Sequence, residues 1–177
     1  MAETATKTQT KKNPMQEIRI EKITLNIGSG PDPKQVEKGL ILLSSISGMK
    51  AVEAQAKKRI AAWKLRPGLA IGSRVTIRNG TEELLKRLLK AASMDIPAKK
   101  FNENGFSFGI PEYLNIPEVK YDPKIGIIGL NVSVTLKRPG FRVKKRKLAP
   151  AKVSRSHRIT KEDAINFAKE KLGAIVE

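Results

Sequence analysis

The sequence predicts a single α+β domain, in which helices pack on one face of a mixed or antiparallel sheet and leave the other face open. Apolar and polar residues alternate, as in strands buried on one side, in the segments 17–27, 71–78 and 127–136. Apolar residues recur at helical spacing in the segments 33–47, 81–94 and 160–172. The order of strand, helix, two strands, helix, strands and helix favours this fold class.

The first strand and helix carry local signals for their boundaries. In residues 17–27 the alternation slips once, at Glu21 and Lys22, which predicts a β-bulge. The segment GSGPDP then breaks the strand, and Asp32 is suited to cap the following helix. That helix is expected to end before Gly48, because glycine readily adopts the left-handed conformation found at helix ends.

The middle of the chain combines strand and loop signals. A short strand is expected at 51–56, followed by a basic loop, Lys57 to Leu69, around Trp63. In the next strand, 71–78, three polar residues share the face opposite to the apolar ones, namely Arg74, Thr76 and Arg78.

Residues 98–123 are expected to be irregular, with one strand at 105–109. Phe106 and Phe108 point to the same face of that strand, where packing in the core is favoured over stacking on a base. Thr160 and Asp163 match a capping box and begin the last helix.

The composition limits the class of protein. The chain has 177 residues and no cysteine, which suits one domain without disulfides or thiolate-bound zinc. Residues 1–14 are expected to form a disordered basic tail, and residues 15–177 the folded domain. No apolar run approaches the roughly 20 residues that span a membrane, so we expect a cytosolic protein without a membrane partner.

The positive charge is concentrated in two stretches of the chain. The formal net charge is +18, from 35 Lys and Arg against 17 Asp and Glu. Residues 54–81 contain seven basic residues and residues 123–161 contain twelve, and neither stretch contains an acidic residue. A merely solvated surface usually mixes both signs, so these stretches indicate a polyanionic partner.

Nucleic acid is favoured as that partner over an anionic membrane, because no helix sets a basic face opposite a large apolar one. An open sheet face that carries Arg, Thr and Asn is moreover a suitable surface for RNA.

The sequence contains no constellation typical of an enzyme. The single histidine, His157, lies near Arg155 and Arg158 and is interpreted as a phosphate or stacking contact rather than a base. Gly28-Ser29-Gly30 lacks the further residues of a dinucleotide fingerprint or a P-loop, so a strand-to-helix turn is favoured. We therefore expect no enzyme activity, no metal, no cofactor and no small-molecule substrate.

Five long segments resemble a known family, and they occur in the order RIEKITLNIGSG, ISGMK, AAWKLRPGLAIGSRVTIR, FSFGIPEYLNIPEVKYDP and GLNVSVTLKRPGF. They resemble a family of ribosomal proteins, the fifth protein of the large subunit, whose members carry 5S rRNA. The resemblance covers nearly the whole chain from Met15. The basic insert after KRPGF and the helix after SHRITKEDA resemble the archaeal and eukaryotic form, and the short chain favours the archaeal one.

This resemblance implies a function that composition does not supply. Members of the family bind 5S rRNA and help attach it in the central protuberance, with 23S rRNA and other 5S-associated ribosomal proteins as neighbours. They lie near the elbow of the P-site tRNA and form an intersubunit bridge to a protein of the small-subunit head. The family's fold, with helices on one side of a sheet, agrees with the α+β domain predicted from the residues.

The resemblance also assigns roles to individual residues. The 5S-binding module of the family implies contacts by Asn26 and Thr76. It further implies a contact by the aromatic residue of the basic loop, here Trp63, for which the residues alone leave stacking on RNA and capping of the core open. Arg74 and Arg78 lie on the same predicted face as Thr76 and complete this set.

Two further groups of basic residues are assigned to RNA. The basic loop matches the segment that members extend toward tRNA, with Lys57, Lys58 and Arg59 as the tRNA-proximal residues. Charge alone assigns the insert to rRNA phosphates, through Lys137, Arg138, Arg142, Lys144, Lys145, Arg146, Lys147, Arg155, His157 and Arg158. Bacterial members carry Gln where Met49 stands, and Met cannot supply the amide's hydrogen bonds.

The residues alone also allow two other functions. A free-standing RNA-binding assembly factor or RNA chaperone would bind many RNAs loosely. A nucleic-acid-processing enzyme would need a cluster of metal-binding carboxylates, for which the sequence gives no sign. A structural protein of the large subunit that recognises RNA by shape is favoured over both.

Overall fold

Over the residues that the structure describes, six strands form one antiparallel sheet, and the three alternating segments supply three of them. The computed structural model describes residues 13–176. The strands are β1 (Arg19–Gly28), β2 (Val52–Gln55), β3 (Ala70–Ile77), β4 (Phe101–Asn102), β5 (Gly105–Ile110) and β6 (Leu130–Lys137). They lie in the order β2-β3-β1-β6-β5-β4, and every pairing is antiparallel. The sheet is thus antiparallel, the second of the two arrangements that the sequence allowed.

Within residues 13–176, four α-helices accompany the sheet, namely α1 (Pro33–Ser47), α2 (Thr81–Ala91), α3 (Arg142–Lys145) and α4 (Lys161–Phe167). The predicted caps are confirmed. The Asp32 carboxylate accepts the Lys34 amide N–H at 3.1 Å, and Gly48 ends α1 in the left-handed conformation with φ of 63°. Thr160 and Asp163 form both hydrogen bonds of the capping box, and α4 continues through one π-helical turn to Leu172.

One face of the sheet forms the core. Apolar residues of β1, β3, β5 and β6 are buried in one cluster with the apolar residues of α1, α2 and α4, as the sequence predicted for helices packed on one side. Phe106 and Phe108 belong to this core, as expected. Gly39 of α1 lies so close to Ser73 that an added Cβ would approach the Ser73 hydroxyl to 2.4 Å.

The predicted bulge in β1 is confirmed. Ile20 pairs with Leu136 and Lys22 with Thr135, so Glu21 is the extra residue. The bulge restores the alternation, which keeps Ile23 in the core and Thr24 on the opposite face.

Some element boundaries differ from the prediction. The last strand begins at Leu130 rather than at residue 127, because Leu130 is the first residue to pair with β5, opposite Ile110. The second helix ends at Ala91, since Ser93 and Met94 adopt positive φ values of 58° and 57°. The predicted tail, residues 1–14, lies outside the described residues except for Asn13 and Pro14.

Candidate nucleic-acid interface

The second face of the sheet carries small polar side chains in matching register. Thr24 of β1 lies between Thr76 of β3 and Ser133 of β6, and Ser133 in turn pairs with Ser107 of β5. One row of hydroxyl groups therefore crosses four adjacent strands.

A second row follows one step further along the strands. Asn26 of β1 lies between Arg74 of β3 and Asn131 of β6, and all three residues are exposed. Two amides and a guanidinium thus stand side by side, close to the hydroxyl row. We call this surface the polar face, and its members are Thr24, Asn26, Arg74, Thr76, Ser107, Asn131, Ser133 and Thr135.

The chemistry of the polar face suits RNA. Its hydroxyl and amide groups both donate and accept hydrogen bonds, as needed to contact ribose hydroxyls and base edges. Short side chains on a sheet also leave room for a rigid nucleic acid surface to approach the backbone. The helices leave it uncovered because α1, α2 and α4 pack through apolar residues on the opposite side.

The structure brings together three of the five residues assigned to 5S rRNA. Asn26, Arg74 and Thr76 are immediate neighbours on the polar face, and Arg78 follows directly after the end of β3. Trp63 lies elsewhere, in the basic loop. Sequence reasoning missed Thr24, although it lies two residues before Asn26 on β1 and shares its face. It also missed Asn131 and Ser133, whose alignment with β1 depends on the pairing of β1 with β6.

The basic loop, Lys57 to Leu69, projects from one end of the polar face, where β1 ends and β3 begins. Backbone hydrogen bonds close it at its base, from the Ala56 amide to the Leu69 carbonyl at 2.8 Å and from the Gly68 amide to the Ala56 carbonyl at 3.0 Å. At its tip Trp63 is 66% exposed, in a 3-10 turn, Ala61–Trp63. Exposure on that scale favours the stacking interpretation over a cap on the core.

At the loop's base, Lys57, Lys58 and Arg59 are exposed. They form no ion pair within residues 13–176.

The second basic stretch lies at the other end of the polar face. We call Arg138–Thr160 the basic excursion; it follows β6, whose last residue, Lys137, pairs with Arg19 at the start of β1. The basic loop lies beyond Gly28, which pairs with Gly72. β1 separates the two regions by about 30 Å, at the usual rise of a strand.

Arg138 attaches the excursion to the last helix. Its guanidinium contacts the Asp163 carboxylate at 3.0 Å and donates to the Arg158 carbonyl at 3.2 Å. The side chain is only 12% exposed. This geometry favours a structural role for Arg138 over the phosphate contact that charge alone assigned to it.

Other side chains of the excursion also bond within the chain. His157 lies with Nε2 2.8 Å from the Pro139 carbonyl, and since a carbonyl only accepts, Nε2 carries the hydrogen and donates it. The imidazole stands edge-on to Phe141, with the ring centres 5.8 Å apart. Lys145 forms an ion pair with Glu21, the extra residue of the β1 bulge.

The remaining assigned cations divide into two kinds. Arg146 donates to the Ala149 carbonyl at 2.8 Å, and Arg158 donates to the Val153 carbonyl at 3.4 Å. The others are exposed and make no side-chain hydrogen bond within residues 13–176; they are Lys137, Arg142, Lys144, Lys147 and Arg155. These five are free to meet phosphate.

A small ionic network lies beside the excursion. The Glu17 carboxylate accepts hydrogen bonds from Arg19 at 2.8 Å and from Lys171 at 3.3 Å. The bond from Arg19, and then that from Lys171, hold the pKa of Glu17 below its ordinary value. The carboxylate therefore stays charged and joins the start of β1 to the end of the last helix.

Two further findings concern other classes of partner. Over residues 13–176, no helix is both long and apolar enough to cross a membrane. Over the same residues, no three His, Cys, Asp or Glu side chains are grouped so as to hold a metal ion.

Comparison with known proteins gives consistent matches along the chain. The family model described as "Ribosomal protein L5" matches residues 13–66, and a second model, for the C-terminus of the same ribosomal family, matches residues 70–167. The chain is 47% identical over 163 residues to the large ribosomal subunit protein uL5 of Nanoarchaeum equitans, covering 91% of this chain and 96% of that protein. It is 41% identical over 179 residues to the uL5 protein of Sulfurisphaera tokodaii, covering 99% and 98%.

Proposed function

The chain belongs to the ribosomal protein L5 family and is a constituent of the large ribosomal subunit, and we propose that it binds 5S rRNA through the polar face. Membership of this family makes the protein a structural one rather than an enzyme. The finer proposal follows from the resemblance together with the geometry of the sheet.

The alignment of Asn26 with Arg74 and Asn131, beside the row of hydroxyls, carries this proposal. Contacts to phosphate hold a protein on nucleic acid, whereas specificity comes from contacts that fit a particular shape or set of bases. We assign specificity to the polar face and affinity to the cations of the basic loop and the basic excursion. Because these two regions flank the face, an RNA on it would meet positive charge at both ends.

The proposal extends to the other partners of the subunit. The protein helps attach 5S rRNA in the central protuberance, beside 23S rRNA and the other 5S-associated proteins, in the cytoplasmic ribosome. Lys57, Lys58 and Arg59, with Trp63 beyond them, approach the elbow of the P-site tRNA. Another part of the surface forms the intersubunit bridge to a protein of the small-subunit head. The support for these partners is the family resemblance and, for the tRNA, the projection of the loop.

The test compares affinities for an archaeal 5S rRNA transcript and for a tRNA of unrelated shape. Asn26→Ala and Thr76→Ala are expected to weaken binding to 5S rRNA by about 1–3 kcal/mol each, and to leave binding to the tRNA nearly unchanged. Asn166→Ala is the matched control, because Asn166 is an exposed Asn on α4, in the helical layer.

Equal loss of affinity in Asn26→Ala and Asn166→Ala would show that the polar face is not the binding site for 5S rRNA. Indistinguishable affinities of the wild-type protein for the two RNAs would instead favour loose, charge-driven binding.

A further inference from the structure

A cleft opens where the basic excursion folds back beside the sheet. It has a volume of about 520 Å³. Apolar side chains form much of its wall, among them Leu136, Phe141, Pro150 and Val153. Its volume falls within the range of sites that hold one small organic molecule, about 300–1,000 Å³.

Four positively charged side chains and two carboxylates, Glu21 and Glu103, line this cleft. Lys144, Lys152 and Arg158 line it, and both lysines are exposed. Neither lysine forms an ion pair within residues 13–176, whereas Lys145, also at the cleft, is paired with Glu21. Two ammonium groups are therefore free for an anionic group beside an apolar wall.

The turn between β4 and β5 supplies hydrogen-bonding groups of another kind. Glu103 and Asn104 form the turn between β4 and β5, and both line the cleft. Glu103 is exposed and unpaired within the described part of the chain. A carboxylate accepts hydrogen bonds from the N–H groups on the edge of a base.

The cleft is continuous with the polar face. Glu103, Asn104 and Thr135 line both the cleft and a shallow depression on the polar face, next to Ser107 and Ser133. A nucleic acid strand that crosses the polar face therefore reaches the mouth of the cleft without leaving the protein surface.

We propose that the cleft binds one unpaired nucleotide of the RNA held on the polar face. The base enters between the apolar side chains, its phosphate lies by Lys144 and Lys152, and Glu103 accepts from its N–H edge. The apolar wall suits the base of a nucleotide, the free ammonium groups suit its phosphate, and the carboxylate suits the N–H edge of the base. Proteins commonly bind unstacked bases with groups of these kinds. This inference rests on the proposed function and adds the part of the RNA that the excursion recognises.

The test blocks the cleft without removing charge. Ala151 lines the cleft and is exposed, so Ala151→Phe places a ring in it at little risk to the fold. Leu148→Phe is the control, because Leu148 is 81% exposed on the same excursion and does not line the cleft. Both variants are compared with the wild type for affinity toward an archaeal 5S rRNA transcript. Sites of zero-length ultraviolet crosslinking are mapped by mass spectrometry.

The wild type is expected to crosslink at one nucleotide to residues of the cleft. Ala151→Phe should lose that crosslink and bind about 5- to 150-fold more weakly, whereas Leu148→Phe should keep both the crosslink and the affinity. Equal affinity of the two variants, or wild-type crosslinks that avoid the cleft, would overturn the inference. The wild-type crosslink map decides the question even if Ala151→Phe does not fold.

Asn26→Ala, measured alongside, separates this inference from the proposed function. If Asn26→Ala weakens binding to 5S rRNA and Ala151→Phe does not, the polar face binds the RNA and the proposal of a nucleotide in the cleft is wrong. If the wild type shows no preference for 5S rRNA, both proposals fail together.

Discussion

The basic loop and the basic excursion carry the same kind of charge, but the chain holds them in opposite ways. The loop is closed by backbone hydrogen bonds at its base, and its cations and Trp63 face solvent. The excursion is tied to the rest of the domain by side chains, through Arg138 to Asp163 and Lys145 to Glu21. One basic region is therefore open to a partner, and the other is partly built into the fold.

This difference shows that positive charge alone does not identify an RNA contact. An arginine that is 12% exposed and bonded to a carboxylate acts first on the stability of the domain. A lysine in solvent loses less on meeting phosphate, because it has no intramolecular partner to give up. The same substitution, Arg or Lys to Ala, should therefore have different consequences for a side chain that is bonded within the fold and for one that is free.

The largest expected effect is on stability, in Arg138→Ala. Removing this side chain leaves the Arg158 carbonyl without its partner, and leaves the Asp163 carboxylate with the Thr160 amide alone. Because Asp163 is one-third exposed, we expect a loss of about 2–3 kcal/mol, below the range for fully buried pairs. Urea unfolding of the free protein measures it.

Arg142→Ala and Arg66→Ala are the matched controls, one from each basic region. Both side chains are exposed and should change the free energy of unfolding by no more than about 0.5 kcal/mol. Equal destabilisation by all three substitutions would show that Arg138 contributes no more to the stability of the fold than the free arginines do.

The next largest effect is expected on binding, in Trp63→Ala. The exposed ring contributes little to the core, so the free energy of unfolding should stay within about 0.5 kcal/mol of the wild type. Removal of one aromatic stacking interaction should weaken RNA binding by about 1–3 kcal/mol. Trp63→Phe should recover most of the affinity, and a stability loss without a binding loss would show that the ring caps the core.

A smaller effect is expected in Glu21→Gln, which removes the carboxylate partner of Lys145. The lysine is 57% exposed and the glutamate 20%, so the loss of stability should not exceed about 1 kcal/mol and should shrink in high salt. Faster hydrogen exchange over residues 141–152 is the more sensitive measurement. Glu103→Gln is the control, because Glu103 lies at the same end of the sheet and forms no ion pair within residues 13–176. This substitution should leave hydrogen exchange over residues 141–152 unchanged.

The smallest effect concerns Glu17 and depends on pH. The hydrogen bonds from Arg19 and Lys171 lower the pKa of Glu17 in the folded state, so its contribution is present above the unfolded-state value of about 4.5. It is lost as the pH falls through the lower folded-state pKa. Unfolding free energies from about pH 6 to about pH 3 should decline less in Glu17→Gln than in the wild type. Parallel curves would show that the network contributes nothing.

Much of the fold could be predicted because its signals are local. Asp32, Gly48 and the Thr160–Asp163 pair act on backbone groups a few residues away, so their identity alone indicates a helix end. The slip at Glu21 likewise revealed the bulge within one strand. The boundary at Leu130 was missed because it depends on a partner strand.

The candidate site was only partly predictable because its geometry is non-local. Lys145 and Glu21 are 124 positions apart, and Arg138 and Asp163 are 25 apart, so no local pattern announces either pair. The alternation placed Thr76 on a polar face, and the resemblance assigned contacts with 5S rRNA to Asn26 and Thr76. Asn131 joins them only once β6 is known to pair with β1.

The most direct test of the account measures how RNA affinity depends on salt, for 5S rRNA and for a tRNA. Two variants are compared, Asn26→Ala and the triple replacement of Lys57, Lys58 and Arg59 by Ala. For both RNAs, the triple variant should show a shallower slope of log affinity against log salt concentration. The magnitude of the slope should fall by about 0.7–0.9 for each phosphate that the protein no longer neutralises. The preference for 5S rRNA over the tRNA should be kept.

Asn26→Ala should keep the slope and lose the preference, because the polar face specifies and the charges attract. The opposite pattern, in which the triple variant loses the preference and Asn26→Ala retains it, would contradict the account.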